Sequence, residues 1–181
     1  MNKIEFKGHS YPAWQGSGFA ARFAFPFAME VCKGNGFDIG CNRWDWALPY
    51  SIPIDPAMFP KYDAYNLPLE WVTYQENRNP QKEHITVWDY IFSSHCLEHL
   101  PDWVKALDYW HTRLRVGGVV FLYLPDHSQV YWRSWHNRKH IHNLTPEIVG
   151  NYFKDQPEMW TDVLVSNVDL NNSFIVIAYK K

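Results

Sequence analysis

Acidic side chains placed just after short apolar runs are the chemistry-bearing feature of this chain. In Gly36-Phe37-Asp38-Ile39-Gly40-Cys41 an apolar segment runs into an acid-x-glycine turn, and Ser51-Ile52-Pro53-Ile54-Asp55 is a second apolar segment ending in an acid. A glycine at such a turn lets the backbone come close to a ligand, and a carboxylate closing the next strand can accept both hydroxyls of a ribose. The pair suits an adenosine-containing ligand. Ser94 and His95 end another apolar run, at the carboxyl edge where open α/β sheets bind ligands. Glu98 and His99, just before Pro101, read equally as site residues or as packing and capping residues.

Nine histidines are many for this length, and His127, His136, His140 and His142 cluster. Their spacing does not define a metal site, because no helical histidine pair accompanies a fixed carboxylate, and no metal is expected. The plain reading is a set of surface imidazoles in a loop. The functional reading is a substrate pocket in which a neutral imidazole takes a hydroxyl proton near pH 7, with His127 the first choice and His140 the second. Arg133, Arg138 and Lys139 interleave with Tyr131, Trp132 and Trp135, a mixture that can stack on and fork onto a sugar, a phosphate or a base. The patch is short and the net charge is −2, which favours a small or sugar-like ligand over nucleic acid.

At 181 residues the chain has about the length of one domain, and 46% hydrophobic residues exclude general disorder. Cys32, Cys41 and Cys96 lack zinc-site spacing, and their odd number suits reduced thiols in the cytoplasm. Lys3, Glu5, Lys7 and His9 interrupt any apolar leader, and no apolar run approaches the roughly 20 residues that span a bilayer.

The elements that position these residues can be read from the pattern. Strands are expected over 36–39, 51–54, 87–93 and 119–124, the last an uninterrupted apolar run suited to a strand covered on both faces. Ala20 to Val31 has helical spacing interrupted at Pro26. Asp102 to Leu114 is a helix with Trp103, Leu107, Trp110 and Leu114 on one stripe, Arg113 and Arg115 at its end, and Gly117 as a cap. Gln75 to Glu83 is a polar loop. Thr145-Pro146-Glu147 starts a further helix, and 161–168 with 173–179 form an antiparallel hairpin. The order implies an α/β fold: a mostly parallel sheet with a reversed edge strand.

With these elements in place, the chain resembles the class I S-adenosylmethionine-dependent methyltransferases, especially their small-molecule branch. Phe37-Asp38-Ile39-Gly40-Cys41 looks like the family's first glycine-containing motif, and Asp55 like its ribose-binding acid. Asp63-Ala64-Tyr65-Asn66-Leu67-Pro68 is similar to its adenine-side motif. Asp89 to Leu100 looks like its fourth strand and following turn, leading through the helix and Arg115-Val116-Gly117-Gly118 into the fifth strand. Two features depart from the family. Asn42 stands where a second glycine is usual, and asparagine tolerates positive φ. Asp63 follows Asp55 by only eight positions, which leaves no room for the second crossover helix and barely a third strand.

The resemblance implies a Rossmann-like sheet, shortened around its second and third strands, binding S-adenosylmethionine through Asp38, Gly40, Cys41, Asn42, Asp55, Asp63, Ala64, Ser94 and His95. One domain over 1–181 is expected, with residues 1–33 as a lid or helix segment and 126–144 as a substrate-side loop. Trp14, Gln15 and Arg22 would face that loop across the acceptor. Methyl transfer to a small-molecule or saccharide acceptor, with oxygen the preferred acceptor atom, is the expected activity. A catalytically inert cofactor-binding subunit is the alternative. A nicotinamide dehydrogenase is disfavoured, since Gly40-Cys41-Asn42-Arg43 lacks the three-glycine pyrophosphate pattern. A thinly covered sheet face would leave room for a homodimer.

Overall fold

The computed structural model describes residues 3–6, 9–12, 19–68, 87–129, 132 and 138–181. Trp14, Gln15, Tyr131, Arg133, Trp135, His136 and the polar loop 75–83 lie outside them. Lys3–Phe6 (β1) and His9–Pro12 (β2) form a separate antiparallel pair. Phe25–Val31 is the first helix, α1, preceded by a 3-10 turn over Ala20–Phe23. Pro26 does not interrupt a longer helix, as the spacing suggested, but opens α1. Its missing N–H falls in the first turn, where no intrahelical partner exists.

The main sheet is built from Gly36–Ile39 (β3), Ile52–Ile54 (β4), Trp88–Ser94 (β5), Leu114–Pro125 (β6), Trp160–Val165 (β7) and Ser173–Lys180 (β8), in the order β4-β3-β5-β6-β8-β7. The first four run parallel; β8 is antiparallel to β6 and to β7. The reversed strand is therefore one in from the edge rather than the edge itself. Composition explains the swap: β8 carries Phe174, Val176 and Ala178 fully buried, while β7 beyond Trp160 alternates half-buried and exposed positions as an edge strand does. At the opposite end β4 is three residues long, and no described strand pairs beyond it. The trimming expected around the second and third strands is what the described residues contain.

Alternate side chains along β5 and β6 divide between two cores. Ile91, Val120 and Leu122 pack with Leu107 and Trp110 of Trp103–Arg113 (α2) and with Val149 and Phe153 of Pro146–Lys154 (α3). Tyr90, Phe92, Val119, Phe121 and Tyr123 pack on the other side with Phe23, Ala24 and Ala28. On that second face a cavity of about 480 Å³ opens between Phe27 and Val31 of α1 and Ile175 and Ile177 of β8. Among the described residues no helix is long and apolar enough to cross a membrane.

The start of α3 follows its sequence signal, whereas in α2 Pro101, expected to open the helix, stands before an Asp102 cap. Asp102 accepts from Lys105 N–H at 3.0 Å and Thr145 from Ile148 N–H at 3.2 Å, each satisfying a donor with no intrahelical partner. The end of α2 differs. Leu114 is its extended C-cap and the first residue of β6, so Gly117 caps nothing. Gly117 instead takes φ +72° within β6, near the register shift against β5 between Trp88 and Tyr90. Arg115 likewise leaves the helix end and pairs with Asp89 of β5.

Candidate functional site

The carboxyl ends of β3, β4 and β5 meet around a cavity of about 380 Å³. Gly40 leaves β3 with φ +84° and donates its N–H to Ile54 O at 2.7 Å, which ties the two strand ends together. A Cβ at Gly40 would stand 2.5 Å from Cys96 Sγ and 2.6 Å from Cys96 Cβ, so the turn is closed to any side chain. Asn42 adopts φ +66°, the left-handed conformation that its sequence position required. Its N–H donates to Asp55 Oδ2 at 2.8 Å, while Ala57 N–H donates to Asp55 Oδ1 at 2.9 Å. Asp55 thus holds the glycine turn as well as facing the cavity. Each carboxylate oxygen keeps lone-pair capacity for a further donor.

Asp63 and Ala64 form the next wall. Asp63 Oδ1 accepts from Tyr65 N–H at 2.8 Å, and Ala64 O accepts from Trp110 Nε1–H at 2.7 Å. Trp110, read in the sequence as a core residue of α2, is therefore also the post that fixes the Asp63-Ala64 backbone. The opposite wall is the turn after β5. His95 sits there at φ +49°, its N–H bonded to Tyr123 O and its Nε2 3.1 Å from Ser173 Oγ.

The fold brings Gly40, Asp55, Asp63, Ala64 and His95 to the cavity wall, together with Tyr65, His99, Leu100 and Pro101. Asp38, Cys41, Asn42 and Ser94 do not line it. Cys41 and Ser94 are buried beside it. Asp38 lies beneath it, 1% exposed, with Oδ2 accepting from Leu48 N–H at 2.7 Å. Asp38 thus pins the loop between β3 and β4. Of the candidate bases, neither His127 nor His140 is on the cavity wall. His140 is buried, its Nδ1 2.9 Å from Trp132 O, and its ring stacks on Trp132. The segment carrying it is tied to the cavity turn through Ile141 N–H to Glu98 O and His142 Nε2 to Leu100 O.

Burial dominates the electrostatics here. It pushes the Asp38 carboxyl up to about 8 and the Glu98 carboxyl up to about 8, and lowers His95 to about 3 and His140 to about 4. Asp38 gives a testable sign. In the unfolded chain it ionises near pH 4, whereas in the fold it keeps its proton to about pH 8. Its contribution is present below the unfolded value and is lost as pH rises through that window, with a slope of at most ~1.4 kcal/mol per pH unit. Asp38→Asn removes the titration and keeps an acceptor for Leu48. Urea unfolding of both proteins between pH 4 and 8 should show the variant gaining on the wild type as pH rises. Parallel curves would reject a buried neutral Asp38.

A strand-end glycine turn, an acid at the end of the next strand, a second acid in the loop beyond it and a helix-anchored wall, on a sheet of this order, suit an α/β domain that binds a nucleoside. Comparison with known proteins makes the class specific. Residues 16–156 match the model of a family described as a methyltransferase domain. A structure of a SAM-dependent methyltransferase from Archaeoglobus fulgidus superposes with a TM-score of 0.61 at 16% identity, covering 92% of this chain and 96% of that one. The putative methyltransferase complexed with the Trm112 activator from Haloferax volcanii gives 0.61 at 12% identity, over 93% and 95%. The N-methyltransferase NodS from Bradyrhizobium japonicum, bound to S-adenosylhomocysteine, gives 0.52 at 14% identity, over 92% and 89%. No match is found among curated proteins. The chain belongs to the methyltransferase-domain family and is a class I S-adenosylmethionine-dependent methyltransferase. That membership replaces the dehydrogenase reading of the sequence.

The residues present fit that cofactor. The Gly40 turn is a cradle that a Cβ would fill, and Asp55 and Asp63 on the wall offer carboxylate oxygens that can accept from hydroxyl or amino donors.

Proposed function

We propose that this methyltransferase transfers its methyl group to a small or sugar-like acceptor, at oxygen, over the rim formed by Gly40, Asp55, Asp63 and His95. The observation that carries the reading is the convergence of those four residues, with Ala64, on one cavity. Asp55 would take the ribose hydroxyls, Asp63 the adenine amino group beside the Ala64 backbone, and His95 the methionine end. The bound cofactor supplies a methyl made electrophilic by a positive sulfur. The chain's part is to align the acceptor with that methyl in a dry site and, where the acceptor must lose a proton, to receive it.

His127 is the preferred base. It follows β6, and its backbone N–H bonds to Leu144 O; residues 126–144 serve in this reading as the substrate-side loop. His140 is the second choice, because its Nδ1 is bonded to Trp132 O and its Nε2 faces Glu98. His127→Ala should lower kcat about 100-fold, the lower bound for general-base loss, with the dissociation constant for S-adenosylhomocysteine unchanged. An undiminished rate would remove the base from this position.

Residues 1–33 serve in this reading as the segment facing that loop, Arg22 being the one of Trp14, Gln15 and Arg22 within the described residues, and 1–181 acts as one domain. A second copy of the chain is the proposed cover for the apolar opening between α1 and β8. The acceptor class is tested by incubating the protein with methyl-labelled S-adenosylmethionine and a panel of hydroxylated metabolites, saccharides, amines and RNA. Label recovered in an alkali-stable small-molecule ether supports the reading. Label in amines or RNA overturns it.

A further inference from the structure

Beside the cavity, a buried carboxyl to which the methyltransferase reading gives no role, that of Glu98, gathers three imidazoles, two of which, His95 and His140, that reading already names. Glu98 is 1% exposed, and neither carboxylate oxygen has a hydrogen-bond partner among the described residues. An unsatisfied buried carboxylate is costly, and a chain keeps one where something is bound to it. Three imidazoles surround it: His99 Nε2 lies 3.5 Å from Glu98 Oε1, His140 Nε2 lies 3.8 Å, and His95 Nδ1 lies 3.7 Å.

The outer nitrogens fix the tautomers of two of these rings. His99 Nδ1 is 2.8 Å from Lys139 O and His140 Nδ1 is 2.9 Å from Trp132 O. A carbonyl oxygen only accepts, so both Nδ1 atoms carry the hydrogen and both Nε2 atoms present lone pairs. Two imidazole lone pairs and a carboxyl oxygen thus converge, and a cation standing between them would displace the carboxyl proton and take all three as ligands. Backbone carbonyls holding the far nitrogens are also the outer shell that orients metal-binding histidines.

We infer that Glu98, His99 and His140 bind a divalent transition-metal ion of the zinc type. One carboxylate and two imidazoles form a borderline donor set that disfavours Mg²⁺ and Ca²⁺, which prefer oxygen ligands throughout. The ligand atoms lie within 4.8 Å of one another. Metal bonds of about 2.0–2.1 Å in a tetrahedron put ligands about 3.3 Å apart, so a modest contraction closes the site. Such a site needs a fourth ligand, which water or an acceptor oxygen supplies. His99 lines the cofactor cavity as well, so the ion stands at its wall.

The experiment uses untagged full-length protein dialysed against a chelator and titrated calorimetrically with Zn²⁺, Co²⁺ and Mg²⁺, with metal content measured after desalting. One equivalent of Zn²⁺, the absorption bands of a tetrahedral Co²⁺ site and no heat with Mg²⁺ are expected. Glu98→Gln and His140→Ala should each weaken Zn²⁺ at least 100-fold, while the distant His111→Ala leaves it unchanged. Circular dichroism reports whether each variant folds. Should His140→Ala fail to fold, Glu98→Gln, which preserves shape and removes the charge, carries the test. Absence of stoichiometric Zn²⁺ in wild type, or equal affinity in Glu98→Gln, overturns the inference. Because binding itself is read, its failure is separable from a wrong acceptor or a wrong base.

Discussion

Gly40→Ala is expected to lose on the order of 2–5 kcal/mol of stability. Two penalties combine. A left-handed backbone costs a residue with a Cβ about 1–2 kcal/mol, and forcing an atom into a filled site costs about 1–3 kcal/mol. The new methyl would meet Cys96 at both Cβ and Sγ, where nothing flexible can yield. For a chain of this size the thermal midpoint should fall by roughly 5–20 °C. The two penalties separate in a double-mutant cycle. Cys96→Gly removes both clashing atoms and leaves the backbone cost, so the double variant should recover about half of the Gly40→Ala loss beyond what Cys96→Gly costs alone. Strict additivity would place the clash elsewhere. S-adenosylhomocysteine affinity should fall in Gly40→Ala even where the protein remains folded, because the same turn forms the cavity wall.

Asp55→Ala carries the second large expectation: a dissociation constant for S-adenosylhomocysteine raised about 30- to 150-fold, equivalent to about 2–3 kcal/mol. Charge-assisted acceptance from ribose hydroxyls accounts for part of this. The rest follows from the structure. Asp55 is also the acceptor for Asn42 N–H and Ala57 N–H, so its removal loosens the glycine turn that the ligand rests on. Asp55→Asn distinguishes the contributions. It keeps one acceptor oxygen and the side-chain shape, so the turn should survive more fully than in the alanine variant while the charge is lost. Calorimetry on folded protein reads both. Unchanged affinity in either variant would move the ribose away from this strand end.

Much of this architecture was legible before the structure because local physics dominates it. β3 spans the predicted residues, Thr145 caps its helix, and Asn42 takes the positive φ that its place in the turn demanded. Each is decided by neighbours within a few positions. What the sequence concealed depends on distant partners. Gly117 looks like a helix cap, yet α2 passes straight into β6 because Leu114 pairs at once with Trp88. Trp110 looks like core, yet its indole N–H reaches Ala64, 46 positions away. Asp38 matches a binding motif, yet its side chain turns inward to Leu48.

The histidines show the same division most sharply. Their spacing along the chain gives no metal signature, since Glu98 and His140 meet only through the fold. The sole local hint was an adjacent Glu98-His99 pair between an apolar strand and a proline. Ring tautomers, which decide whether lone pairs converge, are set by carbonyls of Trp132 and Lys139 that no sequence pattern announces.

The proline at the centre of β4 has a consequence for how these molecules meet one another. Ile54 O receives Gly40 N–H, and the parallel register sets Ile52, Pro53 and Ile54 beside Phe37, Asp38 and Ile39. Ile52 and Ile54 therefore spend their peptide groups on β3, and the flank turned away from it carries only the carbonyl of Pro53. A strand flank without a single amide hydrogen cannot template another backbone, so fibre growth by strand stacking is blocked on that side.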